Sequence, residues 1–211
     1  MTFAESQQIP AADPMIGSAL YGVCATCHGS EGEGNLALNS PKLGGQPEWY
    51  ITRQLHNFKE GYRGAHKDDL FGAQMAPMAA ILTDDAAIRN VSAYIGTMSQ
   101  TPTDQSITGD IARGQDMYMT CGACHGESGQ GNYATNSPRL SGQEDWYMKR
   151  QLMNFKNGIR GAHPGDLYGP QMASMSRMLR TEDDINDIIA YINTLPNQQD
   201  NQIAAMTQGD H

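Results

Sequence analysis

Long apolar runs are missing from these 211 residues. A helix that spans a bilayer needs roughly 20 consecutive apolar residues, and no segment comes near that length. The first residues, Met1 to Pro14, hold no apolar stretch with a basic flank. Any secretory signal is therefore expected to have been removed, with Met1 a start of other origin. Positive charge is also scarce: Lys and Arg number 14 against 23 Asp and Glu, a net charge of −9. The deficit is shared, since residues 1–104 hold 6 basic and 11 acidic side chains and residues 105–211 hold 8 and 12. An acidic balance in both halves argues against nucleic acid as a partner. No clear alternation of apolar and polar residues marks a strand, which leaves a helical reading. Cysteine, finally, is limited to four residues.

All four cysteines sit in one motif written twice. Cys24-Ala25-Thr26-Cys27-His28 returns 97 residues later as Cys121-Gly122-Ala123-Cys124-His125. C-x-x-C-H is the attachment signature of c-type haem. Two thiolates add across the haem vinyl groups, and the adjacent histidine supplies an axial nitrogen to iron. Cysteines three apart lie on one side of a helical turn, so both reach the same porphyrin edge. A structural zinc site would need further paired ligands, and a thioredoxin-type motif would need a βαβ setting; neither is present. The reading is two covalently attached haem c groups.

The repeat extends well past the motif without slipping. Asn39-Ser40-Pro41-Lys42-Leu43 matches Asn136-Ser137-Pro138-Arg139-Leu140, and Trp49-Tyr50 matches Trp146-Tyr147. Gln54-Leu55 and Asn57-Phe58-Lys59 match Gln151-Leu152 and Asn154-Phe155-Lys156. Arg63-Gly64-Ala65-His66 matches Arg160-Gly161-Ala162-His163. So long a period is not a solenoid repeat but two tandem copies of one small domain. Each half is too small for a large core, so the haem must fill much of its interior.

The organisation follows. Residues 1–12 form an N-terminal extension, 13–98 the first domain, 99–109 a linker containing Pro102, 110–195 the second domain and 196–211 a tail. Asp13 is a good N-cap with Pro14 at the first helical position, and Asp110 is its counterpart. A second helix starts near Pro47 and stops at Gly61, with Ile51, Leu55 and Phe58 on its inner stripe. Met148, Leu152 and Phe155 repeat that stripe. A last helix starts near Thr83, with Asp84 and Asp85 suiting the helix dipole. Ile88, Val91 and Ile95 face inward there, repeated by Ile185, Ile188 and Ile192. The Asn- and Gln-rich tail has no apolar face and reads as disordered.

At these residues the chain resembles a known family. Each half resembles a class I cytochrome c domain, and the pair resembles the diheme cytochrome c4 family over roughly residues 13–195. Besides the haem motifs, the resemblance rests on Pro41–Gln46 and Pro138–Gln143, on Tyr50, Gln54, Leu55, Phe58, Gly61 and Arg63 with their copies, and on Met75-x-x-Met78 before Leu82. The Trp before each tyrosine and the Arg-Gly-Ala-His segments are not part of that pattern. Arg177-Met178-Leu179-Arg180 is read as shifting the last helix start slightly.

The resemblance implies a mostly α fold, with two domains related by a pseudo-two-fold and haem propionate edges close together. It places a Met ligand in the loop before the last helix of each domain. Met75 and Met172, seven residues before Leu82 and Leu179, are the assigned sixth ligands, with Met78 and Met175 as alternatives. His28 and His125 are the fifth ligands, and the Pro41 and Pro138 carbonyls accept from their second ring nitrogens. Arg63 and Arg160 are candidate forked donors to propionates or else solvent-exposed helix-end residues. Ligation by His66 and His163 is a minority alternative; His56 and His211 have no counterparts and read as exposed.

A haem closed on both faces suits one-electron transfer, with no open position for substrate. The expectation is a soluble, monomeric periplasmic electron carrier and not an enzyme. Its donor would be a quinol-oxidising complex or a dehydrogenase, and its acceptor a terminal oxidase or similar redox protein. The alternative is a diheme enzyme or enzyme subunit, thiosulfate-oxidising or peroxide-reducing, with a displaceable Met.

Overall fold

The structure is a computed structural model and describes residues 10–197. Most of the N-terminal extension and of the tail, including His211, lies outside the described residues. Eight helices follow in two sets of four: α1 Pro14–His28, α2 Glu48–Lys59, α3 Leu70–Ala80 and α4 Asp85–Gly96, then α5 Ile111–His125, α6 Asp145–Lys156, α7 Gly169–Ser176 and α8 Glu182–Ile192. Among the described residues there is no strand, only the isolated bridges Asn35–Ser40 and Asn132–Ser137. No described helix is long and apolar enough to cross a membrane.

The helix starts are chemically explicit. The Asp13 carboxylate accepts from Met15 N at 2.8 Å, and Asp110 accepts from Arg113 N at 3.1 Å. Each satisfies an amide that the first turn leaves unpaired. In α4 the cap is Asp84, which accepts from Ala87 N. In α8 it is Thr181, which forms a capping box with Asp184. Asp84 and Thr181 are the same repeat position, so Arg177–Arg180 produces no shift of the helix start, contrary to the sequence reading. The capping residue changed while its place stayed.

The segment expected to be a methionine loop is also different: it is helical in both halves. Asp69 accepts from Gly72 N and starts α3, whose run of alanines favours helix and carries Pro77 through its last turns. In α7, Pro170 takes the first turn and Ser174 stands where α3 has Pro77.

Within each half, the haem-motif helix crosses the last helix at a glycine. A Cβ on Gly17 would lie 2.0 Å from Asn90 O, and one on Gly114 would lie 2.1 Å from Asp187 O. The core then forms between these helices and α2 or α6. Tyr21, Ile51, Leu82, Ile88, Val91 and Ile95 are buried together in the first half. Tyr118, Met148, Leu179, Ile185, Ile188 and Ile192 are their counterparts. Tyr21 OH closes the turn after the first motif by donating to Gly29 O, as Tyr118 OH does to Gly126 O.

The halves pack face to face, and their contacts come in pairs related by a pseudo-two-fold. Arg53 donates to Asn136 O at 2.8 Å, and Arg150 donates to Asn39 Oδ1 at 2.5 Å. Gln46 Nε2 donates to Arg139 O, and Gln143 Nε2 donates to Lys42 O. The Arg53 guanidinium lies over Tyr168, and that of Arg150 over Phe71. The linker is fastened to this seam. Lys42, only 2% exposed, donates to Thr101 O, Pro102 O, Thr103 Oγ1 and Gly142 O. Asp145, equally buried, accepts from the amides of Ser106 and Ile107.

Candidate haem sites

Each motif occupies the last turn of its helix. Cys24 and Cys121 are half-buried, Cys27 and Cys124 exposed, and none forms a disulfide. Burial pushes the Cys121 thiol up to about 11 and raises Cys24 as well. Converting such a thiol to a thioether removes an ionisable group from an apolar wall.

His28 and His125 are buried and held from behind. Their Nδ1 atoms lie 2.7 Å from Pro41 O and 2.9 Å from Pro138 O. A carbonyl can only accept, so Nδ1 carries the proton and Nε2 keeps its lone pair. Burial lowers both histidines' affinity for a second proton, although the proline carbonyls oppose this. A neutral, oriented imidazole with a free Nε2 is what an iron ligand requires.

In the second half a cavity runs from Cys121, Cys124 and His125 to Met172 and Met175 on α7. Leu152, Phe155, Leu179 and Ile188 line it, so its walls are largely hydrocarbon. Thiols at one edge, an imidazole on one side and thioethers on the other match the donor set of haem c. Met172, Met175 and Met178 recur every three residues along this wall. Met75 and Met78 hold the matching places on α3 and are half-buried.

The same cavity crosses the seam. Gln46, Tyr50, Arg53, Gln54 and Asn57 of the first half line it too. Here the arginines form a closed circuit. Arg63 donates to Gln54 Oε1 at 2.9 Å, to Tyr147 OH at 2.8 Å and to Gln151 Oε1 at 3.1 Å. Arg160 donates to Gln151 Oε1 at 2.7 Å, to Gln54 Oε1 at 2.7 Å and to Tyr50 OH at 3.2 Å. Neither arginine is a free helix-end residue. Arg53 and Arg150 flank the circuit, and burial disfavours the charge of both. Burial opposes ionisation of Tyr50, but the Arg160 and Arg63 guanidiniums outweigh it and hold the phenol below its ordinary range.

Among the described residues, none of these four arginines has a carboxylate within 4.0 Å. Arg160 is buried and the other three are half-buried, and Asp166 acts on Arg53 and Arg160, and Asp69 on Arg150, only from beyond that distance. Each haem would bring two propionate carboxylates, and at this seam these would give the arginines direct anionic partners. The residues therefore fit the cofactor on both counts, donors in the cavity and cations at its mouth.

The remaining histidines go elsewhere. His66 is exposed, with its Nδ1 accepting from Asp68 N. His163 is exposed and stacks on Tyr62 of the other half at 4.8 Å between centroids. His56 is half-exposed, 4.0 Å from Asp85. Arg53, Arg150, Tyr50, Tyr147, Gln54 and Gln151 are seam residues to which the sequence analysis gave no role.

Comparison with known proteins agrees with this geometry. The profile of the cytochrome c family matches residues 15–99 and again 111–196. Cytochrome c4 of Thiocapsa roseopersicina is 34% identical over 177 residues, covering 78% of this chain and 85% of that protein. A thiosulfate dehydrogenase electron acceptor of Stutzerimonas stutzeri is 30% identical over 182 residues, covering 80% and 76%. The crystal structure of reduced recombinant cytochrome c4 from Pseudomonas stutzeri superposes with a TM-score of 0.67 at 25% identity, covering 88% of this chain and 100% of that one.

Proposed function

The chain belongs to the cytochrome c family, in its diheme cytochrome c4 branch, and is an electron carrier with two covalently attached haem c groups; we propose that it works in the periplasm, between a donor complex and a terminal acceptor. Cys24, Cys27, Cys121 and Cys124 hold the haems. When bound, the iron supplies a one-electron ferric/ferrous couple, which a neutral methionine sulfur biases towards the ferrous side.

In this reading His28 and His125 are the fifth ligands, fixed in tautomer and angle by Pro41 and Pro138. Met75 and Met172 are the sixth ligands, and Met78 and Met175 pack beside them. Arg63 and Arg160, with Arg53 and Arg150, bind the propionates and screen the two acid edges from each other. The domain limits are 13–98 and 110–195, with residues 99–109 clamped between them by Lys42 and Asp145. The observation that carries the reading is the pair of equivalent sites: each has its histidine, its carbonyl and its methionines, and neither half lacks a part. A carrier needs two closed sites, whereas a diheme enzyme needs one open site.

The donor is a quinol-oxidising complex or a dehydrogenase, and the acceptor a terminal oxidase or a similar redox protein. The likeness to a thiosulfate dehydrogenase electron acceptor favours a sulfur-oxidising dehydrogenase among the donors. Optical spectra of the reduced protein under carbon monoxide test the closed sites. No change is expected in the native protein. Met75→Ala and Met172→Ala should each open one haem to carbon monoxide and erase its ferric methionine charge-transfer band. Carbon monoxide binding by the unaltered protein would mean that one site is catalytic.

A further inference from the structure

Electrons enter and leave a cytochrome at a haem edge, and a haem held by Cys121, Cys124 and His125 with its propionates toward Arg160 would turn its other edge away from the seam. The residues around the opposite edge can be read in the second half. Thr120, Thr135 and Met178 line the cavity, the first and last exposed and Thr135 half-buried, and Thr135 Oγ1 donates to the carbonyl of the haem-binding Cys124. Met178 is 60% exposed and sits between the exposed Arg177 and the buried Leu179. One residue further, Arg180 is also exposed. This edge is framed by two hydroxyls, a thioether and two guanidiniums; of the acids that follow at the start of α8, Glu182 is paired with Lys149 and Asp184 with Arg113, and Asp183 is exposed.

The repeat places a different set around the first edge. Val23 stands for Thr120, Leu38 for Thr135, Ile81 for Met178, Ala80 for Arg177 and Thr83 for Arg180. Val23 is 38% exposed, Leu38 47% and Ile81 55%. By the repeat, these three exposed apolar side chains take the places of Thr120, Thr135 and Met178 around the first motif, with no cation at the positions of Arg177 and Arg180. Water gains nothing from such a ring, and exposed apolar clusters of this kind mark contact surfaces. The surrounding charge is one-sided. Of the six cations in residues 1–104, Lys42, Arg53 and Arg63 are turned into the seam, Lys59 Nζ is tied to Leu82 O, Arg89 is half-buried, and the exposed Lys67 is paired with Asp68. Glu31, Glu33, Glu60, Asp68, Asp84 and Asp85 all remain on the surface.

We propose that the two haem edges are two different docking faces. The Val23–Leu38–Ile81 edge receives a redox protein with an apolar centre and a lysine- or arginine-rich rim. The Met178 edge, with Arg177 and Arg180, receives one with an acidic rim. Two unlike partners are then served at opposite ends of one molecule, and neither competes with the other. The inference rests on the carrier reading above and deepens it by assigning partner chemistry to each end.

Nuclear magnetic resonance titration of the fully reduced holoprotein at low salt tests it. One probe is a zinc-substituted, lysine-rich cytochrome c, and the other is a gallium-substituted plant-type ferredoxin, which is acidic; both are redox-silent. The basic probe should shift the methyl signals of Val23, Leu38 and Ile81 and leave that of Met178 in place. The acidic probe should shift Met178 and Thr135 only. The pair Arg177→Glu and Arg180→Glu should weaken the acidic probe about tenfold and leave the basic probe unchanged. The triple change Val23→Thr, Leu38→Thr and Ile81→Asn should do the reverse. Both probes on one edge, variants that weaken the two probes alike, or no binding by either probe would overturn the proposal. Carbon monoxide added to the same reduced sample reports separately on whether the sites are closed, so failure of the docking pattern is distinguishable from failure of the carrier reading.

Discussion

Changing Gly114 to alanine adds one methyl group and should damage the second domain more than most core truncations. The new Cβ would stand 2.1 Å from Asp187 O, 2.7 Å from Asp187 C and 2.9 Å from Tyr191 Cβ. The first two are backbone atoms of α8, which cannot rotate away as a side chain can. Relief requires α5 and α8 to separate by about 1.4 Å, since ordinary carbon contacts begin near 3.5 Å. Overpacking of a tight interior costs about 1–3 kcal/mol, and a backbone clash belongs at the upper end. Near 3 kcal/mol, the thermal midpoint falls by roughly 6–12 °C if the two halves unfold together. The repeat supplies the replicate: Gly17→Ala meets Asn90 O at 2.0 Å and should behave alike. It also supplies the control, because a Cβ on Gly22 in α1 meets nothing within 4 Å. Gly22→Ala should leave stability unchanged or raise it by up to about 1 kcal/mol through helix propensity alone. Urea and thermal unfolding of the holoprotein, followed by far-ultraviolet circular dichroism, give the comparison. Equal midpoints for Gly114→Ala and Gly22→Ala would refute the close crossing.

Other outcomes follow from the seam and the linker. Arg160→Gln should lower the reduction potential of at least one haem, on the order of tens of millivolts, because a cation that disfavours ferric iron is lost; an unchanged redox titration would place the propionates elsewhere. Asp145→Ala leaves the amides of Ser106 and Ile107 unpartnered and should cost about 1–3 kcal/mol, with faster proteolysis between residues 103 and 108. Burial raises the Glu144 carboxyl above its ordinary value near 4.5, so the fold retains a proton that the unfolded chain releases. Its contribution is therefore full below that value and is lost as pH climbs through the raised one. Glu144→Gln should remove this decline while keeping an acceptor for Lys42 N, and urea midpoints measured across mildly acidic pH would show it.

Much of the site could be read before any coordinates, for a physical reason. The haem motif, its helix caps and the apolar stripes of α2, α4, α6 and α8 are local patterns, and local patterns survive in a string of letters. The Pro41 and Pro138 carbonyls came through the family resemblance and lie where hydrogen bonds to His28 and His125 need them. What the string hid was long-range or weakly patterned. The α3 helix carries Pro77, which reads as a break, yet Asp69 caps it and alanines sustain it. Lys42 matches an arginine in the other copy, and nothing in the alignment gives its burial. Only packing shows that it is buried beneath the linker it holds.

The seam gives the repeat a second meaning. Residues that recur in two duplicated domains are easily taken as what each domain needs alone. Leu55 and Leu152 fit that idea, since each packs on its own half's core. Tyr50, Gln54 and Arg63 do not, because their partners are Tyr147, Gln151 and Arg160 from the other half. A contact surface with two-fold symmetry uses every residue twice, once from each side. Loss of Gln54 would therefore strip an acceptor from Arg63 in its own half and from Arg160 across the seam. Polar residues at a self-complementary interface are held in both copies by one shared structure. Residues at the outer ends face different neighbours and are free to diverge. Val23 against Thr120, Leu38 against Thr135 and Ala80 against Arg177 are such differences, and under the docking proposal they flank the haem edges that partners reach. In a tandem cytochrome, agreement between the copies outside the core thus points inward to the seam, and disagreement near the haem motif points outward to the partners.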